Sequence, residues 1–264
     1  MIDIHAHILP GLDDGARNLE ESLEMARLAV NDGIKYLFAT PHVVKGLYEN
    51  KKDDIIKAVH ELQQKLDDEQ ISLTIIPGAE IRIADDLPSR LDRGELLTLD
   101  NKDKYLLIDL PIGVFPDYTS EVLFQIQLRG ITPILAHPER NTIIAADSSI
   151  LNKLVYRGVL VQITCGSLTG SFGSSVRRNA FRYMQEGMVH VLASDAHSSR
   201  GRTPCLTGAY QTLEKSFGTS FAYQLEHVNP GKLLKGEQIT NNPISFGREK
   251  FRKRLGMFFK TGLI

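Results

Sequence analysis

The 264-residue chain contains no tryptophan and only two cysteines, Cys165 and Cys205. Two thiols cannot build a disulfide framework, so a reducing compartment is expected. No apolar run approaches the roughly 20 residues that a membrane-spanning helix needs. The N-terminus carries neither a charged leader nor a long apolar region, so no signal peptide is expected. Positive charge is not in excess: the formal net charge is -1, which gives no global pull toward nucleic acid or membrane. These absences predict a cytoplasmic protein without a transmembrane segment. Internal repeats, low-complexity tracts and clear internal boundaries are also lacking. With 42% hydrophobic and 24% charged residues, residues 1–264 read as one globular domain. Only the end differs. A basic, aromatic tail at about 248–264 is suited to peripheral contact with an anionic surface or a partner, and a solvated or frayed end is the blander reading.

The chain opens on Met1-Ile2-Asp3-Ile4-His5-Ala6-His7, an apolar run of the kind that forms a buried strand, ending in His-x-His. Side chains on a strand alternate between faces, so His5 and His7 should point the same way. Asn18 is placed to cap a helix, with Glu21 as its capping-box partner. Leu19, Leu23, Ala26 and Val30 fall on one face of that helix, and Gly33 stops it. The apolar run 36–40 closes on Pro41-His42. Ile55, Val59, Leu62 and Leu66 mark a second helix. The run 73–76 stops at Pro77-Gly78, followed by Ala79-Glu80. The run 105–108 ends at Asp109, and a helix carrying Val122, Leu123 and Ile126 follows. The run 132–136 ends at His137. A helix near 150–156 precedes the run 159–163, and the stretch around Phe181 and Met184 is helical. The run 189–193 ends at Ser194-Asp195-Ala196-His197. About seven strand–helix alternations predict a parallel sheet covered by helices, whose closed form is a β/α barrel.

Metal-capable side chains stand at one predicted strand end after another: His5, His7, Asp13, Asp14, His42, Glu80, Asp109, His137, Asp195 and His197. In a β/α barrel these ends converge on one mouth, where barrel enzymes carry their chemistry. His60, by contrast, lies within a helix pattern and reads as a surface residue. So many nitrogen and oxygen donors without a cysteine exceed the needs of one four-coordinate zinc. Two or three metals sharing carboxylates fit better, and manganese, iron or zinc suits such mixed ligands. Paired metals perform in-line displacement at phosphorus. Arg140 and Arg202 fit that chemistry, because a guanidinium grips phosphate oxygens in pairs. Other phosphate chemistries are excluded. There is no Walker-type glycine loop. Six residues beyond the two cysteines stand Ser171 and Gln211, not the arginine of a thiolate phosphatase loop, and Cys165 reads as a small core residue. The glycine-rich stretch 166–173 reads as a plain turn.

Taken jointly, His5-x-His7, Asp13-Asp14-Gly15, Thr40-Pro41-His42, Gly78-x-Glu80, Ala136-His137-Pro138-Glu139-Arg140 and Ser194-Asp195-Ala196-His197 resemble the PHP (polymerase and histidinol phosphatase) superfamily. The resemblance covers nearly the whole chain. It is closest to the bacterial protein-tyrosine-phosphatase branch found with capsular and exopolysaccharide systems. It implies an α/β fold, a distorted (β/α)7 barrel related to the TIM barrel, with three metals, often manganese, at the strand ends. The first metal would take His5, His7, Glu80 and Asp195. The second would take Glu80 as a bridge, with Asp109 and His137. The third would take Asp14, His42 and His197. Arg140 and Arg202 match the phosphate-binding arginines, and Asp14 or His197 is the candidate proton donor. The implied substrate is phosphotyrosine, notably on the tyrosine-rich tail of a bacterial tyrosine kinase that controls polysaccharide export. Two departures stand out. Asp109 occupies a position where the family commonly has glutamate, and its shorter side chain predicts a weaker or deeper second metal. Val43 stands where relatives can carry a second histidine. Two other readings share the same residues: a histidinol-phosphate or other small phosphomonoesterase, and a non-catalytic metal-binding module. A nuclease role is disfavoured by the neutral charge.

Overall fold

A computed structural model describes residues 1–239; the basic aromatic tail expected at 248–264 lies outside them. The apolar runs form ten strands: β1 (Ile2–Ala6), β2 (Tyr36–Ala39), β3 (His42–Val44), β4 (Tyr48–Glu49), β5 (Thr74–Pro77), β6 (Glu80–Arg82), β7 (Tyr105–Asp109), β8 (Thr132–Ala136), β9 (Leu160–Thr164) and β10 (Val191–Ala193). They pair as two sheets, in the orders β1-β2-β5 and β10-β9-β8-β7-β6-β3-β4. Every pair is parallel except the β3–β4 hairpin. The mixed α/β architecture with parallel strands is therefore the one expected.

Two strands differ from expectation. β2 passes through Thr40-Pro41 into β3, and β5 passes through Gly78-Ala79 into β6, so each crosses from one sheet to the other. Pro41 has no N–H to give a ladder. At Gly78 a Cβ would stand 2.8 Å from Leu99 Cδ2 and 3.2 Å from Thr40 Cγ2, so glycine lets these side chains close over the crossing. The three-residue strands beyond these breaks are too short to show alternation in sequence. On the opposite side β1 and β10 approach each other. His7 N donates to Ala196 O at 2.8 Å and Asp195 N to His5 O at 2.9 Å, with a single parallel bridge, Ala6–Ala196.

β1 contains a bulge. Asp3 pairs with Leu37 but Ala6 with Ala39, three steps on β1 against two on β2. One extra residue reverses the alternation of faces. Ile4 and His5 thus turn to the same side: Ile4 joins an inner apolar cluster, and His5 joins His7 at its rim. That cluster draws on strands of both sheets, with Ile4, Phe38, Ile76, Leu107, Ile134, Leu160 and Val191, and Leu233 and Ile239 pack onto it.

A larger outer cluster lies between strands and helices. The helix Lys52–Asp68 buries Ile55, Val59, Leu62 and Leu66, the expected stripe; each such side chain contributes on the order of 2 kcal/mol. The helix Leu19–Asn31 keeps most of the expected face. Ala26 is buried and Leu23 and Val30 pack against the core, but Leu19 is exposed and the most buried positions include Ser22, Met25 and Ala29. Ser22 Oγ donates to Ile8 O at 2.7 Å, which accounts for its burial. Asn18 caps it by accepting from Glu21 N, but the Glu21 carboxylate turns to Arg17 N and Nε, so the capping box is only half made. The stretch read as a plain turn at 166–173 is in part helical: Cys165–Thr169 forms a helical turn ended by left-handed Gly170. Local glycine content hid a turn that Ser167 and Leu168 bury. Among the described residues no helix is long and apolar enough to cross a membrane.

Candidate metal centre

His5 and His7 end β1 with their Nε2 atoms 3.1 Å apart. Their outer nitrogens are engaged: His5 Nδ1 meets Gln162 Oε1 at 3.1 Å, and His7 Nδ1 meets Asp13 Oδ2 at 2.6 Å. With acceptors on both Nδ1 atoms, the two Nε2 atoms point into a shared space, and His7 Nε2 offers its lone pair there once its proton is displaced. Orienting partners of this kind are typical behind metal-bound histidines. Gly15 makes the arrangement possible, because a Cβ there would stand 2.2 Å from His7 O.

Glu80, at the start of β6, reaches the same space. Its Oε2 lies 3.4 Å from both His5 Nε2 and His7 Nε2, and 2.9 Å from His42 Nδ1; its Oε1 lies 2.7 Å from His137 Nε2. Asp195, after β10, points Oδ1 at His5 Nε2 (3.5 Å) and His7 Nε2 (3.6 Å). Donors about 2.1 Å from one cation stand roughly 3.0–3.5 Å apart, so the 3.4–3.6 Å separations of the Glu80 and Asp195 oxygens from His5 and His7 suit a shared ion better than direct hydrogen bonds, whereas His137 Nε2 hydrogen-bonds Glu80 Oε1 directly. Glu80 Oε2 and His42 Nδ1 are buried without a hydrogen-bonded partner despite their closeness. Both atoms are therefore free to bind a third. The donor set is wholly nitrogen and oxygen, which fits manganese, iron or zinc.

Donor atoms gather in three overlapping groups: His5, His7 and Glu80; His7, Asp14, His42 and His197; and His42, Glu80 and Asp109. Asp14 is the exposed member, at 52%, with Oδ1 3.5 Å from His42 Nε2 and 3.6 Å from His197 Nε2. His137 lies beside the third group, its Nε2 3.9 Å from Asp109 Oδ1. Asp109 turns its other oxygen to Arg82 Nε at 2.5 Å. His137 (φ 34°) and Asp195 (φ 52°) both hold left-handed backbone, a strained conformation that concentrates at functional sites. Every residue expected at the site thus lies within this one region.

The electrostatics follow from carboxylates crowding into a buried pocket. Burial opposes charge on His7, yet Asp13, Asp195 and Glu80 together hold its pKa well above the ordinary value. Burial likewise opposes the charge on Glu80 and Asp195, and the surrounding imidazoles keep both ionised, well below the usual carboxylate range. Asp13 is brought down to about 2 against its burial, chiefly by His7. Asp109 is pushed up by burial and by Glu80. Burial and the neighbouring His7 bring His197 down to about 2, which keeps it neutral and able to ligate. The proton retained on His7 is the one a divalent ion would displace.

Two guanidinium groups close one side. Arg140 Nη2 donates to Asp195 Oδ2 at 2.5 Å and to Thr164 Oγ1 at 2.7 Å, and Arg202 Nη2 reaches the same Asp195 oxygen at 2.6 Å. The Nε atoms of both arginines are buried without acceptors, as donors facing an anion site would be. Cys165 is buried, which pushes its thiol well above its ordinary pKa and disfavours a thiolate. His60 is exposed, as expected.

Several supporting residues escaped the sequence reading. Gln162 interrupts an apolar run, which was a usable signal. Arg82, between Ile81 and Ile83, was another. Buried Asp3 holds Ser194 N at 3.0 Å and Ser194 Oγ at 2.5 Å, and burial raises its pKa to about 6. Glu139 accepts from Thr164 N and Ser167 Oγ behind Arg140. Glu139 stood inside the His137-Pro138-Glu139-Arg140 motif but no role was read from it, and nothing in the sequence singled out Asp3, because the partners of both come from distant segments.

Parallel strands deliver imidazoles and carboxylates to one region with two arginines beside them, a donor set of the kind that metal-dependent enzymes of mixed α/β fold use. Comparison with known proteins narrows this. The chain belongs to the CpsB/CapC family of capsular polysaccharide synthesis, whose family model matches residues 1–235. It is 40% identical to the tyrosine-protein phosphatase YwqE of Bacillus subtilis, over 98% of this chain and 100% of YwqE. It is 29% identical to the tyrosine-protein phosphatase CpsB of Streptococcus agalactiae serotype V, over 90% of this chain and all of that protein. A solved structure from work on YwqE of B. subtilis and CpsB of Streptococcus pneumoniae, described as metal-dependent tyrosine phosphatases, superposes with a TM-score of 0.89 at 40% identity, covering 92% of this chain and 98% of the other.

Proposed function

We propose that this protein is a metal-dependent tyrosine-protein phosphatase, acting on phosphotyrosine in a bacterial tyrosine kinase that governs capsular or exopolysaccharide synthesis. The observation that carries the reading is the juxtaposition of the clustered imidazole and carboxylate donors with two buried, unsatisfied guanidinium Nε atoms. Residues 1–264 act as one catalytic domain. We read its two sheets as a single distorted seven-stave barrel, because strands of both sheets fill one inner cluster and β1 meets β10. Two unpaired thiols, Cys165 and Cys205, suit a cytoplasmic location.

His5, His7, Asp14, His42, Glu80, Asp109, His137, Asp195 and His197 would hold two or three divalent ions, with manganese first and iron or zinc as alternatives. Such ions, when bound, activate water and neutralise phosphoryl charge. The chain's own groups do the rest. Gln162 and Asp13 fix the imidazole tautomers of His5 and His7. Arg140 and Arg202 exchange Asp195 Oδ2 for phosphoryl oxygens and stabilise the charge that builds there. His197, kept neutral, serves as a ligand rather than an acid. Asp14 is the candidate proton donor that solvent can resupply. A phenolate with a conjugate-acid pKa of about 10 leaves with little help.

The test is phosphate release after metal stripping and readdition of manganese, with a phosphotyrosine peptide, a phosphoserine peptide and histidinol phosphate side by side. Manganese-dependent preference for phosphotyrosine is expected. Preference for histidinol phosphate would overturn the substrate, and no turnover with any metal would leave only a metal-binding module.

A further inference from the structure

Phe172 stands in the mouth of the site without belonging to the core. It is half-buried and lies outside both apolar clusters among the described residues. Its ring instead faces the arginines: the Arg140 guanidinium carbon sits 4.0 Å from the ring centroid and that of Arg202 5.6 Å. These two cations converge on one oxygen, Asp195 Oδ2, and repel each other there. An aromatic face attracts both. The backbone on either side of the ring is held. Gly170 N and Ser171 N donate to Gly166 O at 3.0 and 2.8 Å, and Gly173 N donates to Gly170 O at 3.0 Å. Gly166 leaves room for it, since a Cβ there would come within 2.8 Å of Phe172 Cε2.

We propose that Phe172 is a positioning residue: its ring braces Arg140, and more distantly Arg202, in the orientation that receives the phosphoryl group. The idea rests on the reading that these arginines bind phosphoryl oxygens. Asp195 and Thr164 hold only the Nη2 end of Arg140. When Nη2 turns from Asp195 to an incoming anion, the stacked face remains and keeps the guanidinium plane from swinging into solvent. The ring thus replaces a fixed acceptor, leaving the guanidinium hydrogens for substrate.

The experiment compares wild type, Phe172→Leu and Phe172→Tyr as manganese-loaded full-length protein. Inorganic phosphate binding is measured by calorimetry, alongside KM and kcat on a phosphotyrosine peptide, bound manganese and melting temperature. Phe172→Leu should weaken phosphate binding about tenfold and raise KM in proportion, with manganese content and melting temperature held, while Phe172→Tyr stays within about twofold of wild type. Phosphate affinity unchanged in Phe172→Leu would overturn the proposal. So would an equal loss in the tyrosine variant, or a loss that tracks falling manganese content or stability. A wild type that binds phosphate but hydrolyses no monoester would sink the phosphatase reading alone, since the calorimetric comparison still decides the brace.

Discussion

Replacing Asp13 with asparagine tests the wiring behind the proposed centre without touching a proposed ligand. Asp13 accepts from three donors: His7 Nδ1 at 2.6 Å, His42 N at 2.8 Å and Gly15 N at 2.9 Å. An asparagine keeps one oxygen and presents an NH2 group in place of the other. His7 Nδ1 and His42 N share Oδ2 while Gly15 N uses Oδ1, so either orientation of the amide opposes a donor, and both remove the negative charge that holds the proton on His7 Nδ1 and leaves Nε2 for the site. Loss of such an orienting partner weakens metal binding by roughly 10- to 100-fold. Stability falls too. The Asp13 carboxyl, 0% exposed, is lowered from 3.8 to about 2, which corresponds to about 2 kcal/mol of native-state preference. Because this pKa is depressed, the contribution is present above the unfolded value, near 4, and disappears as pH falls through about 2. At pH 7 the metal-free Asp13→Asn variant should therefore melt roughly 3–6 °C below metal-free wild type. At pH 2 the difference should shrink. Manganese titration by calorimetry gives the affinity, and differential scanning calorimetry of stripped protein gives the stability. A variant that binds manganese within about twofold of wild type would refute the tautomer argument.

Other predictions follow from single contacts. Arg140→Ala should lower phosphotyrosine turnover by about 100-fold while leaving manganese binding nearly intact, read by steady-state kinetics and metal analysis. Arg82→Ala strips the buried Asp109 of its counter-charge; the carboxyl should take up a proton more readily, so activity against pH should shift its acid limb upward. Metal uptake must displace the proton that Asp13, Asp195 and Glu80 hold on His7, so manganese binding should release protons and weaken as pH falls, measurable by titration in buffers of different ionisation enthalpy. Gly15→Ala should lose metal binding and stability together, because its Cβ collides with His7 O.

The sequence was legible where chemistry and periodicity coincided. His-x-His after an apolar run, and Asp109, His137 and Asp195 at the ends of others, were readable because a parallel strand delivers its last residues to one edge. The helix Lys52–Asp68 was readable for a similar reason, four apolar residues at helical spacing. What was hidden depends on partners far away in the chain. The bulge in β1 exists only relative to β2, and alternation alone would have sent Ile4 and His5 to opposite sides. Gln162, Asp3 and Glu139 gain meaning only when β9, β10 and the turn after β8 come together. The split of β2 and β5 into two sheets was masked because Thr40-Pro41 and Gly78-Ala79 read as strand ends, not as crossings. The burial of Ser22 on the first helix, beside the expected apolar face, depends on one hydroxyl finding Ile8 O.

The seam between β1 and β10 also bears on how the molecule assembles. β1 pairs with β2 nearby in the chain but meets its other neighbour, β10, about 190 residues later, through Asp3 with Ser194 and His5 with Asp195. Closing so long a loop is entropically unfavourable and slow, and few backbone bonds reward it. Chelation across this gap, with His5 and His7 on one lip and Asp195 and His197 on the other, would supply what the ladder lacks. Cofactor loading would then complete the closure, and a chain ending before residue 195 would lack both the seam and the proposed ligands Asp195 and His197.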